Sequence, residues 1–442
     1  MMIILISNYL LGEEMNSINQ NIKPISLKKN ESGNLEIGGC DLVNLARKHG
    51  TPLYVIDEKT LRGILKEYKS AFSKQKDTQL LYASKACLNL AIAKIVSQEG
   101  FGFDVVSGGE IYTVYKAGCD MSKVIFNGNN KSEEELQLAL DLNVGRISVD
   151  NFYELELINK IAKKNVDILL RITPGIECHT HDYIKTGQLD SKFGFDMSQI
   201  DKAVSLIVND YKNINLKGLH AHVGSQIFEL EVFNDEIDIL VNETERINKT
   251  FGLKLNEINI GGGIGVKYTQ EDKPVSVFDC ANCVIEKLKN KNLKLYLEPG
   301  RSIISTSGVT LYEIGSSKKV DFNGKKYIAV DGGMADNPRP SLYGAKYIAE
   351  IANNKQNCKL EKVTIAGKFC ESGDILVEEI ELAEPKSGDI LCVFNTGAYN
   401  YSMSSNYNRA RKPEMVLVNN SQSDIIVRRE SYEDLISHDI LL

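Results

Sequence analysis

Lys85 stands in Leu80-Leu-Tyr-Ala-Ser-Lys85-Ala, at the end of an apolar run that reads as a buried strand. A lone strand-end lysine ordinarily reaches solvent. Held inside a barrel mouth, its amine is made nucleophilic by desolvation and can join a carbonyl as a Schiff base. Gly261-Gly-Gly-Ile-Gly265 lets backbone N–H groups approach a phosphate closely, and a following helix start adds a favourable dipole. A tight turn has the same composition, and the dinucleotide-binding fingerprint needs a different glycine spacing within a βαβ unit. His220-Ala-His222-Val-Gly-Ser225 puts two histidines on one strand face, because residues i and i+2 of a strand point the same way. His179 and His181 form a second such pair. Barrel hydrolases that bind metal through His-x-His carry the pair on their first strand, so no metal is expected here, and a packing or stacking histidine is the better assignment. Cys280-Ala-Asn-Cys283 is a lone CxxC in a helical pattern and reads as packing.

These groups need elements to hold them. Eight apolar runs read as buried parallel strands: Leu80–Ala86, Phe101–Ser107, Lys123–Gly128, Arg146–Asn151, Asp167–Gly175, Leu216–Ser225, Glu257–Gly263 and Lys294–Gly300. Helical stretches such as Leu88–Gln98 and Ser132–Asp141 alternate with them. The pattern predicts an α/β fold with a (β/α)8 barrel, a doubly wound open sheet being the competing arrangement. Barrel enzymes place reactive groups at the carboxyl ends of their strands. Those ends carry Lys85, Asp104 with Ser107, Asn127, Asp150, Arg171, His220 with His222 and Ser225, Gly261–Gly263, and Glu298 with Arg301. Polar groups recurring at one end of strand after strand point to a site there.

After Arg301 the texture changes. Ser302–Gly315, Lys326–Gly332, Glu361–Gly367, Ile375–Glu379, Asp389–Asn395 and Glu414–Val418 read as short strands between Gly, Asn and Pro turns, which predicts an all-β domain. Ile22–Gly38 also reads as extended, ahead of a helix at Asp41–His49, and is expected to pair with that domain and make it discontinuous. The expected division is a disordered extension over residues 1–20, with Met15 as a possible alternative start, an N-terminal piece of the β domain over 21–52, the barrel over 53–300 and the C-terminal β domain over 301–442.

Composition narrows the function classes. Lys and Arg total 52 against 59 Asp and Glu, a net charge of −7, whereas a nucleic-acid binder normally carries a basic surplus. The apolar run at the N-terminus is too short to span a bilayer and lacks a leading basic residue or a cleavage motif, so no membrane association is expected. Nine scattered cysteines, an odd number, suit reduced thiols in a cytoplasm.

Tyr82-Ala-Ser-Lys85-Ala, His220-Ala-His222-Val-Gly-Ser225, Gly261-Gly-Gly263, Glu298-Pro299-Gly300-Arg301, Asp331-Gly-Gly-Met334, Arg339-Pro-Ser-Leu-Tyr343, Cys370-Glu371-Ser372-Gly-Asp374 and Gly397-Ala-Tyr399 occur in that order. Together they resemble the diaminopimelate decarboxylases, a family of fold-type III pyridoxal-phosphate enzymes, over about residues 22–435. The resemblance implies a barrel plus a β domain, pyridoxal 5'-phosphate as cofactor and decarboxylation of meso-2,6-diaminopimelate to L-lysine. It implies that Lys85 holds the cofactor as a Schiff base, that Glu298 bonds the pyridine nitrogen and that His222 stacks on the ring. Ser225, Gly261, Gly262, Gly263, Pro299, Gly300, Arg301 and Tyr399 would contact the phosphate or the backbone around it. Arg301, Arg339 and Tyr343, with Tyr399 beside them, would grip the distal carboxylate of the substrate, Glu371 would pair with the distal ammonium, and either Cys370 or Lys85 would return the proton. In the family the Cys370 loop enters the site from the other subunit, which implies a homodimer. Cys87 departs from the family, whose members often carry asparagine there. A decarboxylase of the same fold acting on ornithine, arginine or carboxynorspermidine is the alternative; a purely cationic tail needs no arginine clamp. An alanine racemase, a non-catalytic pyridoxal-phosphate carrier and a metallohydrolase fit the motifs less well.

Overall fold

Eight runs rich in Val, Ile and Leu each form a short strand: β1 (Thr78–Ala83), β2 (Gly102–Val105), β3 (Val124–Phe126), β4 (Arg146–Val149), β5 (Val166–Thr173), β6 (Ile214–His220), β7 (Glu257–Asn259) and β8 (Lys294–Leu297). Neighbours pair in parallel and β8 returns to β1, so the sheet closes into a barrel, as the pattern predicts. A two-residue strand, Phe195–Asp196, adds to β5 outside this ring. This computed structural model describes residues 17–175, 191–356 and 358–442. His179 and His181 lie outside the described residues.

Because side chains on a strand alternate faces, residues two apart point into the barrel together. Leu81, Ile125, Leu169 and Tyr296 fill one interior layer and are almost fully buried. Full burial of such a side chain is worth about 1.5–3 kcal/mol. Below that layer, Arg146 grips Glu257 through Nε (2.8 Å) and NH2 (2.7 Å). Stepping two residues the other way along the same strands leads to Ala83, Asn127, Arg171, Asn259 and Glu298, at the carboxyl end. The apolar plug thus forms the floor on which the polar residues rest.

The helices between strands start on side-chain caps. Asn89 accepts from the Ile92 amide (3.0 Å), and Ser132 forms a capping box with Glu135 ahead of Glu133–Asp141. Ser107 is a cap too, accepting from the Glu110 amide (3.2 Å), which assigns it to starting a helix rather than to chemistry.

Two compact units emerge, and their boundaries differ from those expected. The first holds residues 17–20, Ile64–Gly265 and Lys273–Ser302; the second holds Asn21–Gly63, Val266–Asp272 and Ile303–Leu442. Residues 1–16 of the expected disordered extension lie outside the described residues. Residues 17–20 correct the rest of it: they form a buried turn, in which Asn19 Nδ2 donates to the Gly265 and Val275 carbonyls (both 2.9 Å). The barrel does not begin at residue 53. Leu53–Asp57 is a fully buried strand of the second unit, lying between Gly308–Lys319, antiparallel, and Glu414–Asn419, parallel. A buried strand followed by an amphipathic helix (Glu58–Ala71) looks locally like a barrel repeat, and only its pairing partners tell the two apart.

In the second unit the main sheet runs Ile375–Ala383, Leu360–Ala366, Lys326–Val330, Gly308–Lys319, Leu53–Asp57, Glu414–Asn419, Gln422–Val427. Ile390–Phe394 joins Gly308–Lys319 to Ala349–Ile351. The expected strand from Ser302 starts instead at Gly308, because Arg301–Ile304 makes a helical turn. As expected, Ile22–Gly38 belongs to this β-rich unit and makes it discontinuous, with the Leu35 amide donating to the Ala352 carbonyl (2.8 Å). It forms a small sheet of its own with Cys40–Asp41, and its Leu35 and Ile37 pack with Leu53, Val309, Phe394 and Val416. Among the described residues no helix is long and apolar enough to cross a membrane.

Candidate active site

Lys85 lies in a single turn, Ser84–Ala86, that caps β1, and its side chain is exposed. That turn is fixed from the side. The Ala83 amide donates to the Pro299 carbonyl (3.1 Å), and Gly300 packs so closely that a Cβ there would meet Ala83 Cβ at 2.9 Å. Pro299 and Gly300 therefore join the end of β8 to the end of β1.

Glu298 is the centre of a buried network. Its Oε1 accepts from Asn259 Nδ2 (2.6 Å) and Asn127 Nδ2 (3.0 Å), and Asn127 also donates to Asp104 Oδ1 (2.6 Å). Asn259 Oδ1 in turn accepts from the Gly261 amide (2.9 Å), and the Glu298 amide donates to the Gly261 carbonyl (2.6 Å). The other oxygen, Oε2, faces His220 Nε2 at 3.5 Å, while His220 Nδ1 meets Ser148 Oγ at 2.7 Å. Burial, and then the charge of Asp104, push the Glu298 carboxyl well above its ordinary range; the two amides and Lys85 pull against that. Oε1 is saturated, so new bonds fall to Oε2.

His222 does not share a strand face with His220, because β6 ends at His220. Its Nδ1 accepts from the Gly262 amide (3.3 Å). Burial, then the charges of Lys85 and Arg171, hold both its pKa and that of His220 well down, so the rings are neutral at physiological pH. Gly261 has φ +59, and a Cβ on it would reach His222 Nδ1 at 2.6 Å; one on Gly262 would reach the Glu298 carbonyl oxygen at 2.3 Å. Only glycine lets this loop pass. Beside it, Arg301 NH2 donates to Ser225 Oγ (3.0 Å). Asp150 accepts from the Gly194 amide (2.9 Å) and faces Arg171 at 3.8 Å, with the Arg171 guanidinium over the Phe193 ring at 4.3 Å.

In the second unit, Arg339 opens a short helix, Arg339–Tyr343, and is 7% exposed. Its NH1 donates to the hydroxyls of Tyr347 (2.7 Å) and Tyr268 (2.9 Å), whose rings meet edge to face around it. Tyr343 is exposed at the far end of that helix. Tyr399 has φ +63, a left-handed conformation that costs a non-glycine residue energy and recurs at functional sites. Cys370 and Glu371 are exposed on a tight loop, with the Cys370 amide donating to Asn408 Oδ1 (3.2 Å).

Residues 59–305 match the family model for the pyridoxal-binding domain of pyridoxal-dependent decarboxylases. The chain is 47% identical to the diaminopimelate decarboxylase of Synechocystis, covering 96% of this chain and 94% of that one. It is 44% identical to that of Bacillus subtilis, covering 93% and 97%. The crystal structure of diaminopimelate decarboxylase from M. jannaschii in co-complex with L-lysine superposes with a TM-score of 0.89 at 34% identity, over 95% of this chain and 98% of that one. The chain belongs to the diaminopimelate decarboxylase family.

The residues present fit the cofactor of that family, pyridoxal phosphate. An exposed lysine amine suits its aldehyde, a neutral imidazole suits the face of its ring, and a buried carboxylate with one uncommitted oxygen suits a protonated ring nitrogen. The amides of Gly261–Gly263, Ser225 Oγ and the Arg301 guanidinium form a donor set for a phosphate dianion. The barrel unit brings together Lys85, His222, Ser225, Gly261–Gly263, Glu298 and Arg301. Arg339, Tyr343, Cys370, Glu371 and Tyr399 belong to the other unit. Asp104 and Asn127, read from sequence only as strand-end polar residues, belong to the Glu298 network. Asn259 and Ser148 went unnoticed. The signal for Asn259 was its register: it stands two residues past the inward-facing Glu257, as Glu298 does past Tyr296.

Proposed function

We propose that this member of the family decarboxylates meso-2,6-diaminopimelate to L-lysine and CO2 with pyridoxal phosphate carried on Lys85. The observation that carries the reading is the exposed Lys85 amine at the mouth of a barrel whose buried acid, Glu298, has one oxygen saturated by two amides and the other uncommitted. When bound, the cofactor supplies an electron sink for the pair left as the carboxyl group departs. Glu298 Oε2 holds a proton on the ring nitrogen, which deepens that sink. His222 would lie against the ring face, and Ser225, Arg301 and the glycine amides would hold the phosphate.

The substrate has an amino-acid group at each end. Arg339 takes the distal carboxylate, with the Tyr343 hydroxyl and Tyr399 beside it; the tyrosine cage that orients its guanidinium supports this role. Glu371 pairs with the distal ammonium, and the Cys370 thiol delivers the proton that replaces the lost carboxylate. We place these last two residues in the site of a second copy, so the working enzyme is a homodimer. A cytoplasmic setting agrees with the unpaired thiols of the described cysteines.

Borohydride reduction followed by peptide mass spectrometry tests the first claim: the cofactor is expected on Lys85, and its absence there overturns the reading. Lys85→Ala should lose both the adduct and turnover. A panel of diaminopimelate stereoisomers, ornithine, arginine and carboxynorspermidine, scored by CO2 release, tests the substrate. Preference for a substrate without a distal carboxylate would refute the arginine clamp.

A further inference from the structure

Two motifs of the ordered set have no role so far: Asp331-Gly-Gly-Met334, and the aspartate that closes Cys370-Glu371-Ser372-Gly-Asp374. The structure joins them. Asp374 is 3% exposed, although the three residues before it are exposed. Its Oδ1 accepts from the Met334 amide (2.6 Å) and its Oδ2 from the Phe369 amide (2.9 Å). The carboxylate sits in a slot that two glycines leave open. A Cβ on Gly367 would lie 2.1 Å from Oδ2, and one on Gly333, at φ +153, would lie 2.4 Å from Oδ1.

The backbone closes around the same point. The Gly367 amide donates to the Asp374 carbonyl (2.9 Å), the Lys368 amide to the Gly332 carbonyl (2.9 Å), and the Asp374 amide to the Glu371 carbonyl (3.1 Å). A buried carboxylate accepting amides from two separate segments is a cross-brace, and such charge-assisted bonds are stronger than neutral ones. What it braces is the turn between Phe369 and Asp374, which carries nothing but Cys370, Glu371, Ser372 and Gly373.

We propose that Asp374 is a positioning residue: lodged between Gly333 and Gly367, its carboxylate fixes the turn that presents Cys370 and Glu371. The proposal rests on the roles given to those two residues above. It also explains why glycine stands at 333, in the first motif, and at 367, three residues ahead of the second. A side chain at either glycine would occupy the space of the carboxylate.

The test uses the full-length enzyme reconstituted with pyridoxal phosphate, as Asp374→Ala, Asp374→Asn and Gly367→Ala, with Cys370→Ala and Glu371→Ala as references. Amide hydrogen exchange at Met334 and Phe369 reads the clasp. Turnover with diaminopimelate, split into kcat and KM, reads its consequence. Asp374→Ala removes one such bond at each amide and should speed exchange at both by about tenfold or more and lower kcat by a similar factor. The cofactor trapped at Lys85 should be unchanged. Asp374→Asn keeps the volume and one acceptor oxygen and should fall between wild type and Asp374→Ala, whereas a defect of packing volume alone would leave it at wild type. It also carries the test should Asp374→Ala fail to fold. Gly367→Ala should reproduce the exchange defect without altering the carboxylate.

Exchange within about twofold of wild type in Asp374→Ala overturns the clasp. Faster exchange with kcat and KM unchanged, while Cys370→Ala and Glu371→Ala are impaired, overturns the positioning role. If those two references retain wild-type kcat and KM, the catalytic roles given to them fall, and exchange alone then decides whether the clasp exists.

Discussion

Replacing Asn259 by leucine keeps the heavy-atom count and branching of a fully buried side chain and removes two polar contacts: the 2.6 Å bond donated to Glu298 Oε1 and the 2.9 Å bond accepted from the Gly261 amide. The first is a bond to a buried charged group, worth about 1.5–3 kcal/mol net, which corresponds to a factor of about 10 to 100 in the equilibrium it supports. That equilibrium is the ionisation of Glu298. Burial and Asp104 already push this carboxyl up, and the Asn259 amide is among the groups holding it down. Removing the amide drives it further up, so the neutral acid persists to higher pH. An acid that keeps its own proton cannot hold one on the ring nitrogen. Pyridoxal phosphate should therefore bind about tenfold or more weakly near neutral pH, and the acid limb of the kcat profile should move to higher pH. Spectrophotometric titration of the apoenzyme with the cofactor measures the first effect, and kcat against pH the second. A variant that loses thermal stability but keeps both cofactor affinity and the position of the limb would show that Asn259 only packs, and the argument would fail.

Glu298→Gln should act in opposite directions on stability and activity. The folded-state pKa of Glu298 is raised, so the stability linked to its proton is fully present below the ordinary carboxylate range and is lost as pH rises through the folded value. Glutamine avoids that loss, and calorimetry of the apoenzyme should show the variant more stable than wild type at alkaline pH and not at acid pH, while turnover falls about a hundredfold or more. No gain at alkaline pH would contradict the buried-charge account. Gly262→Ala would bring a Cβ to 2.3 Å from the Glu298 carbonyl oxygen, a backbone atom that cannot rotate away, and should cost about 2–4 kcal/mol of stability in urea unfolding; an unchanged midpoint would refute the steric argument. Glu371→Ala should raise KM for diaminopimelate about tenfold or more with the cofactor still trapped at Lys85; an unchanged KM would separate Glu371 from the substrate.

The barrel was legible because its strands are short, apolar and buried on both faces, a composition that other soluble elements rarely share. The β domain was legible in its existence and less so in its membership. Leu53–Asp57 has five buried residues and precedes a helix, which is also the local pattern of a barrel unit. Its assignment depends on pairing with strands more than 250 and 350 residues away, at Gly308–Lys319 and Glu414–Asn419. Local periodicity carries no information at that range. Val266–Asp272 is a similar case: it continues the glycine loop of the barrel yet belongs to the second unit, where Tyr268 meets Arg339.

For the site, the residues that could be read were those whose own chemistry is conspicuous: a lysine, a glycine run, an arginine, a glutamate beside a proline. Those that hold them in place were harder to see. Asn127 and Asn259 look like strand-end polar residues until Glu298 is placed between them, and His222 looks like a strand partner of His220 although the strand ends two residues before it. The alternation of a strand recovers part of this, since inward positions follow one another in steps of two: Ile125 leads to Asn127, Glu257 to Asn259, Tyr296 to Glu298. It identifies which side chains share the barrel interior. It does not say which of them touch, because that depends on how neighbouring strands are staggered. Glu298 shows why the contacts matter more than the list. Burial alone would neutralise this acid, and Asp104 nearby makes ionisation harder still. Two asparagines that donate to one oxygen oppose that tendency without overcoming it and leave the other oxygen to meet a cation, so the charge on which the proposed chemistry depends is favoured by neutral residues that carry no catalytic signature of their own.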